Sequence, residues 1–164
     1  MSRPDSTVPL DMHTIERDLE YIIALVNLKP MRAQRMFDIV LRRNDLHPKQ
    51  LNIRYHLRMG KDLDEYIRLN TDVTDAVAGK VIVHAIRSAT NPVYRDVMCV
   101  RDAFRCFADS DEKLAIRMTR LHWHRPHWSQ VKGEFMAIVQ KPLIEKINGK
   151  RGLLRDVLAA MSGA

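Results

Sequence analysis

A faint internal copy constrains this 164-residue chain more than any local motif does. Lys61, Leu63, Glu65 and Ile67 recur 80 positions later as Lys141, Leu143, Glu145 and Ile147. Upstream, Arg42 and Pro48 recur 78 positions later as Arg120 and Pro126. A period of this kind marks one supersecondary unit used twice, and such units bury their apolar faces by stacking.

Both copies read at helical period. Ile15, Leu19, Ile22, Ile23 and Val26 fall on one face of a first helix. Met36, Ile39, Val40 and Arg43 predict a second. Leu51, Tyr55 and residues 57–59 predict a third, begun at His47-Pro48 because proline suits a first turn. Gly60 stops it before a short helix over 62–69. Thr71-Asp72-Val73-Thr74-Asp75 offers N-caps for a fifth helix carrying Val77, Val81, Ile82, Ala85 and Ile86. Its Val81-Ile82-Val83 run could be a strand, but no second alternating segment exists to pair with it.

Asn91-Pro92 opens a new helix with Val93, Val97, Val100 and Phe104 in register. Asp109 and Glu112 resemble a capping box for a helix over 114–121. Helices over 127–140, 142–148 and 152–161 complete a second set of five, with Gly149 and Gly163 at C-cap positions. The expected fold is all-α: a flexible tail over 1–10, one five-helix unit over 11–90, and a second over 91–164 packed beside it.

Composition fits a soluble globular protein, with 46% hydrophobic and 29% charged residues. The longest apolar run, Tyr21 to Val26, falls far short of the ~18–20 residues that span a bilayer. The N-terminus lacks the apolar stretch of a secretory signal, and Pro4, Asp5 and Pro9 interrupt any amphipathic presequence. Cys99 and Cys106, seven apart on one helix, would lie ~10 Å from each other along its axis, too far for a disulfide. An intracellular, reducing compartment is expected, cytoplasmic or organelle-associated, with the mitochondrial matrix side left open. Glycine-rich phosphate loops, nucleophile elbows and His-Glu-x-x-His are absent, and the acidic pairs sit at helix starts, where the dipole accounts for them. No enzyme is expected.

The spacing Arg43, Tyr55, Gly60, Lys61-Asp62-Leu63, Ile67, then Thr71-Asp72, resembles the annexin repeat, as does Asn91-Pro92-Val93-Tyr94 at the start of the second unit. The resemblance covers about residues 11–162, although annexins normally carry four repeats. It implies five-helix units, each with four antiparallel helices and one crossing them. It also implies calcium-dependent phospholipid binding, through a Gly-x-Gly-Thr loop between the first two helices and an acidic residue near the end of the fourth. The sequence departs there. Asn27-Leu28-Lys29-Pro30-Met31-Arg32 and Cys106-Phe107-Ala108-Asp109-Ser110-Asp111 contain no glycine. Calcium wants six to eight oxygens, and Lys29 and Arg32 repel it. Asp72 is the single candidate metal ligand in unit 1, and unit 2 offers Asn148-Gly149-Lys150-Arg151 at that position. No cofactor is expected, calcium included.

Net charge +7 and a pI near 9.7 point to an anionic partner. Candidate contacts are Arg54, Arg58 and Lys61 on one helix face, Arg117, Arg120 and Arg125, and Lys150, Arg151 and Arg155 near the C-terminus. His122-Trp123-His124-Arg125-Pro126-His127-Trp128 nominates Trp123 and Trp128 as partner-contact aromatics; packing and a three-histidine metal site compete for it. The leading expectation is a calcium-independent, annexin-like scaffold, working as a subunit of a larger protein assembly or at an anionic phospholipid surface. Half-length favours assembly, since two repeats leave open faces that four would cover. The alternatives are a calcium-dependent phospholipid-binding annexin and, ranked lower, a basic helical nucleic-acid-binding subunit, such as one in a ribonucleoprotein.

Overall fold

The helical periodicity is realised across the described residues. The computed structural model describes residues 11–28, 33–41, 46–71, 75–105 and 110–163. These form α1 (Met12–Val26), a 3-10 turn (Ala33–Met36) running into α2 (Phe37–Leu41), α3 (Leu46–Met59), α4 (Leu63–Asn70) and α5 (Ala76–Thr90), then α6 (Pro92–Arg105), α7 (Ser110–His122), α8 (Arg125–Val139), α9 (Leu143–Asn148) and α10 (Gly152–Ser162). The protein is all-α. It divides into two compact units, Met1–Asn91 and Pro92–Ala164.

In unit 1, α5 packs on α2, α3 and α4, and α1 lies on α3. Ile15, Leu19 and Ile22 from α1 meet Leu51 and Tyr55 from α3, Leu63 and Ile67 from α4, and Ile82 and Ile86 from α5. Burial pushes the Tyr55 phenol up to about 12, with the nearby Tyr66 adding to the effect. Buried polar contacts also sit inside this unit: His47 Nε2 lies 3.0 Å from the Asp18 carboxylate, and Arg87 pairs with Asp64 at 2.7 Å. In unit 2, α6 packs on α7 and α8, and α10 on α7 and α9. Its core draws Val97 and Val100 from α6, Leu114 and Met118 from α7, Trp128, Val131 and Phe135 from α8, and Leu143, Ile147 and Leu158 beyond.

The internal copy is a copy of core positions. Leu63 and Ile67 are fully buried, and so, nearly, are Leu143 and Ile147, while the repeated Lys61, Lys141 and Glu145 are exposed. The copy also preserves a backbone conformation that its residue types hide. Gly60 ends α3 at φ +67°, and 80 positions on Gln140 ends α8 at φ +57°. Glycine reaches that left-handed region freely, whereas a residue with a Cβ pays about 1 kcal/mol or more.

The helix caps are made in different ways. Asp62 stands at the N-cap of α4, but its carboxylate takes His56 Nδ1 at 2.9 Å. Asn52 of α3 reaches across instead and accepts from the Leu63 N–H at 2.9 Å. Gly163 caps α10 in the left-handed region, while Gly149 ends α9 with ordinary right-handed backbone. Asp11 caps α1, accepting from the His13 N–H at 3.0 Å. Arg42, Arg43, Thr74, Cys106 and Asp109 lie outside the described residues. The Cys99 thiol is free and half-buried, and burial pushes its pKa up.

Candidate functional site

The nine candidate cations separate by what surrounds them. On α3, Arg54 pairs with Glu16 and Arg58 with Glu16 and Glu20, so the Arg54–Arg58 stripe clamps α3 onto α1. Lys61 is exposed beyond it. In unit 2 the Arg117 guanidinium donates to the Cys99 carbonyl on α6, Arg155 pairs with its neighbour Asp156 at 2.7 Å, and Lys150 pairs with Asp111 at 2.6 Å. Arg120, Arg125 and Arg151 are exposed, with no ion pair among the described residues.

The two tryptophans also part company. Trp128 is only 4% exposed. Its indole N–H donates to the Met161 carbonyl at 3.0 Å, so its nomination as a partner contact is corrected: its ring belongs to the core of unit 2. The same carbonyl accepts from His122 Nδ1 at 2.9 Å, and Lys132 donates to the Ser162 carbonyl at 2.7 Å. Terminal carbonyls of a helix need outside donors, and here α7 and α8 supply three to the end of α10. A cation at that end also complements the helix dipole. Trp123, by contrast, is 80% exposed, and His124, Arg125 and Pro126 beside it are exposed as well.

The histidine cluster is therefore divided among separate tasks. His127 Nε2 donates to Asp96 at 2.7 Å, and Arg95 holds the same carboxylate at 2.7 Å. Among the described residues no group of three or more His, Cys, Asp or Glu is placed to hold a metal ion. Asp72, Lys29 and Arg32 lie outside the described residues, as do positions 106–109 of the corresponding unit 2 loop.

A broader signal was legible in the sequence but not in any motif. Residues 113–133 contain no carboxylate, yet carry five Lys or Arg, three His and both tryptophans. The α7–α8 turn sits inside this acid-free stretch.

No family model and no curated protein matches the sequence. Solved structures do match. A point mutant of annexin A8 with an intact N-terminus superposes with a TM-score of 0.74 at 15% identity, covering 98% of this chain and 47% of that one. Calcium-bound annexin (Sm)1 gives 0.69 at 17% identity, covering 94% and 41%, and calcium-bound alpha-14 giardin gives 0.70 at 17%, covering 94% and 51%. The fold is annexin-like. The chain spans about half the length of the solved structures it matches.

Lys150, in the α9–α10 turn, pairs with Asp111 in the first turn of α7, and its ammonium also lies 6.0 Å from the centre of the Phe104 ring. No helix among the described residues is long and apolar enough to cross a membrane.

The Asp96 group gives a pH prediction. Burial alone would raise its pKa, but the bonds from Arg95 and His127 outweigh burial and hold it below the ordinary carboxylate range. The folded chain then keeps this carboxylate charged at pH values where the unfolded chain takes up a proton. Its stabilisation is complete above the ordinary value of 3.8 and is lost as pH falls through the lower folded value. Asp96→Asn is expected to cost about 2 kcal/mol at neutral pH and to flatten this acid-dependent loss, read from urea unfolding at successive pH values.

Proposed function

We propose that this chain is a non-enzymatic, annexin-like binding scaffold that engages an anionic partner without calcium, in an intracellular, reducing compartment. The observation that carries the reading is the Lys150–Asp111 ion pair, 2.6 Å long, at the corner where an annexin-type site would need oxygen ligands. Calcium takes six to eight oxygens at about 2.3–2.6 Å. An ammonium on the Asp111 carboxylate offsets the charge that would attract the ion, and the adjacent Arg151 adds to the repulsion. Lys29 and Arg32 put two cations in the corresponding stretch of unit 1.

Calorimetric titration with calcium tests this directly. The expected result is no saturable binding below about 1 mM, the weak end of the range for protein calcium sites. Saturable binding at micromolar calcium would support the calcium-dependent alternative instead.

One observation also favours the assembly-subunit reading. Leu46, Ile53 and Leu57 recur at i, i+7 and i+11 along α3 and are all exposed, Leu57 at 78%. Exposed apolar stripes of this kind are typical of subunit contacts.

A further inference from the structure

We infer that the α7–α8 turn of unit 2 is a docking face for an anionic lipid bilayer, with the Trp123 indole at headgroup level and Arg120 and Arg125 on the phosphates. This rests on the calcium-independent reading above and gives it a surface and a partner class.

Four observations converge on the turn. Ile116 and Arg120 on α7 and Trp123, the first residue past its end, follow at i, i+4 and i+7 and are all exposed, bringing an aliphatic residue, a cation and an indole together. Trp123 through Pro126 are four consecutive exposed residues, so the turn is open to a partner. No carboxylate occurs in residues 113–133, so the formally charged side chains of this stretch are all cations, and nearby Asp96 is held by Arg95 and His127. Finally, His122, Trp128 and Lys132 anchor the turn to the end of α10, so little order need be gained on binding.

The chemistry selects lipid over nucleic acid. Single-stranded nucleic acid is held by a basic groove with several aromatic stacking platforms; here one exposed indole stands on a short turn. An indole flanked by arginines suits the membrane interface, where its apolar body meets the acyl boundary and its N–H stays among headgroups. Ile116 gains from that boundary and nothing from phosphates. Charge complementarity to an anionic leaflet supplies about fivefold in affinity per cation near the surface. The site also stands apart from the annexin-type calcium corner. Asp111 stands in the first turn of α7 and Trp123 just past its last residue, so about 16 Å of helix separates them.

The chain's two tryptophans make the test direct. Phosphatidylserine–phosphatidylcholine vesicles are added in chelator, and emission is followed in the wild type and in Trp123→Phe, where buried Trp128 reports only on folding. The expected result is a blue shift quenched by brominated acyl chains in the wild type, absent with pure phosphatidylcholine and absent in Trp123→Phe. Arg120→Gln/Arg125→Gln is expected to weaken vesicle binding about 25-fold, with near-native circular dichroism because both side chains are exposed. Vesicle binding in chelator with an unmoved Trp123 signal would overturn this surface and leave the calcium-independent reading intact. Binding only with calcium, with Trp123 unmoved, would overturn both. A single-stranded oligonucleotide that quenches Trp123 while vesicles leave it unchanged would assign the turn to nucleic acid and overturn the lipid proposal.

Discussion

Truncating Phe135 to alanine is expected to destabilise the protein by about 3–5 kcal/mol. Phe135 is among the largest fully buried side chains and meets Phe104 edge-on at 6.3 Å. It sits on the buried face of α8 with Trp128 and Val131, at i−7 and i−4. Removing the ring forfeits its transfer free energy and leaves a cavity that flanking helices close only in part. Since domains typically hold about 5–15 kcal/mol in all, such a loss is severe. Urea unfolding should show a large drop in midpoint with an unchanged slope. Phe135→Leu, which keeps most of the volume, should cost much less. Equal losses in the two variants would mean that the core closes around the gap.

Breaking the Arg87–Asp64 pair is the second large effect. Arg87 Nε donates to Asp64 at 2.7 Å, with the two side chains 9% and 13% exposed. The arginine lies near the end of α5 and the carboxylate in the first turn of α4, so the pair joins the two helices. Removing one member of such a pair leaves a charge that water barely reaches, at a cost of about 3 kcal/mol or more. Arg87→Met should therefore be strongly destabilising, and Asp64→Leu likewise. The double variant should recover much of the loss, since an apolar pair needs no compensation. A double-mutant cycle measures the coupling; additive losses would contradict the account.

How far the sequence discloses this molecule depends on the kind of interaction. The helices were legible because core residues such as Ile15, Leu19 and Ile22 repeat at 3.6 and proline or glycine marks several boundaries. The repeat was legible at Leu63 and Ile67 against Leu143 and Ile147, because both pairs are core. It was obscured at Gly60 and Gln140, where one backbone conformation is carried by unlike residues. Long-range polar contacts were not legible. Nothing local shows that Asn52 caps α4, or that Arg54 and Arg58 pair with Glu16 and Glu20 on α1. Those two arginines read as a free basic stripe because their partners lie 38 positions away. Trp123 and Trp128 look equivalent in sequence, and only tertiary packing, with the Met161 carbonyl on the Trp128 indole, separates the buried ring from the exposed one. The His122–Trp128 cluster pointed to the turn, and the absence of acids across residues 113–133, a pattern outside any motif, went unread.

Co-sedimentation of the intact chain with phosphatidylserine-containing vesicles, run in parallel with calcium and with chelator, tests the central claim most directly. Engagement of an anionic surface without calcium predicts the same sedimenting fraction in both conditions, falling as salt screens the cations and absent with zwitterionic vesicles. Sedimentation that requires calcium and is abolished by chelator would contradict it.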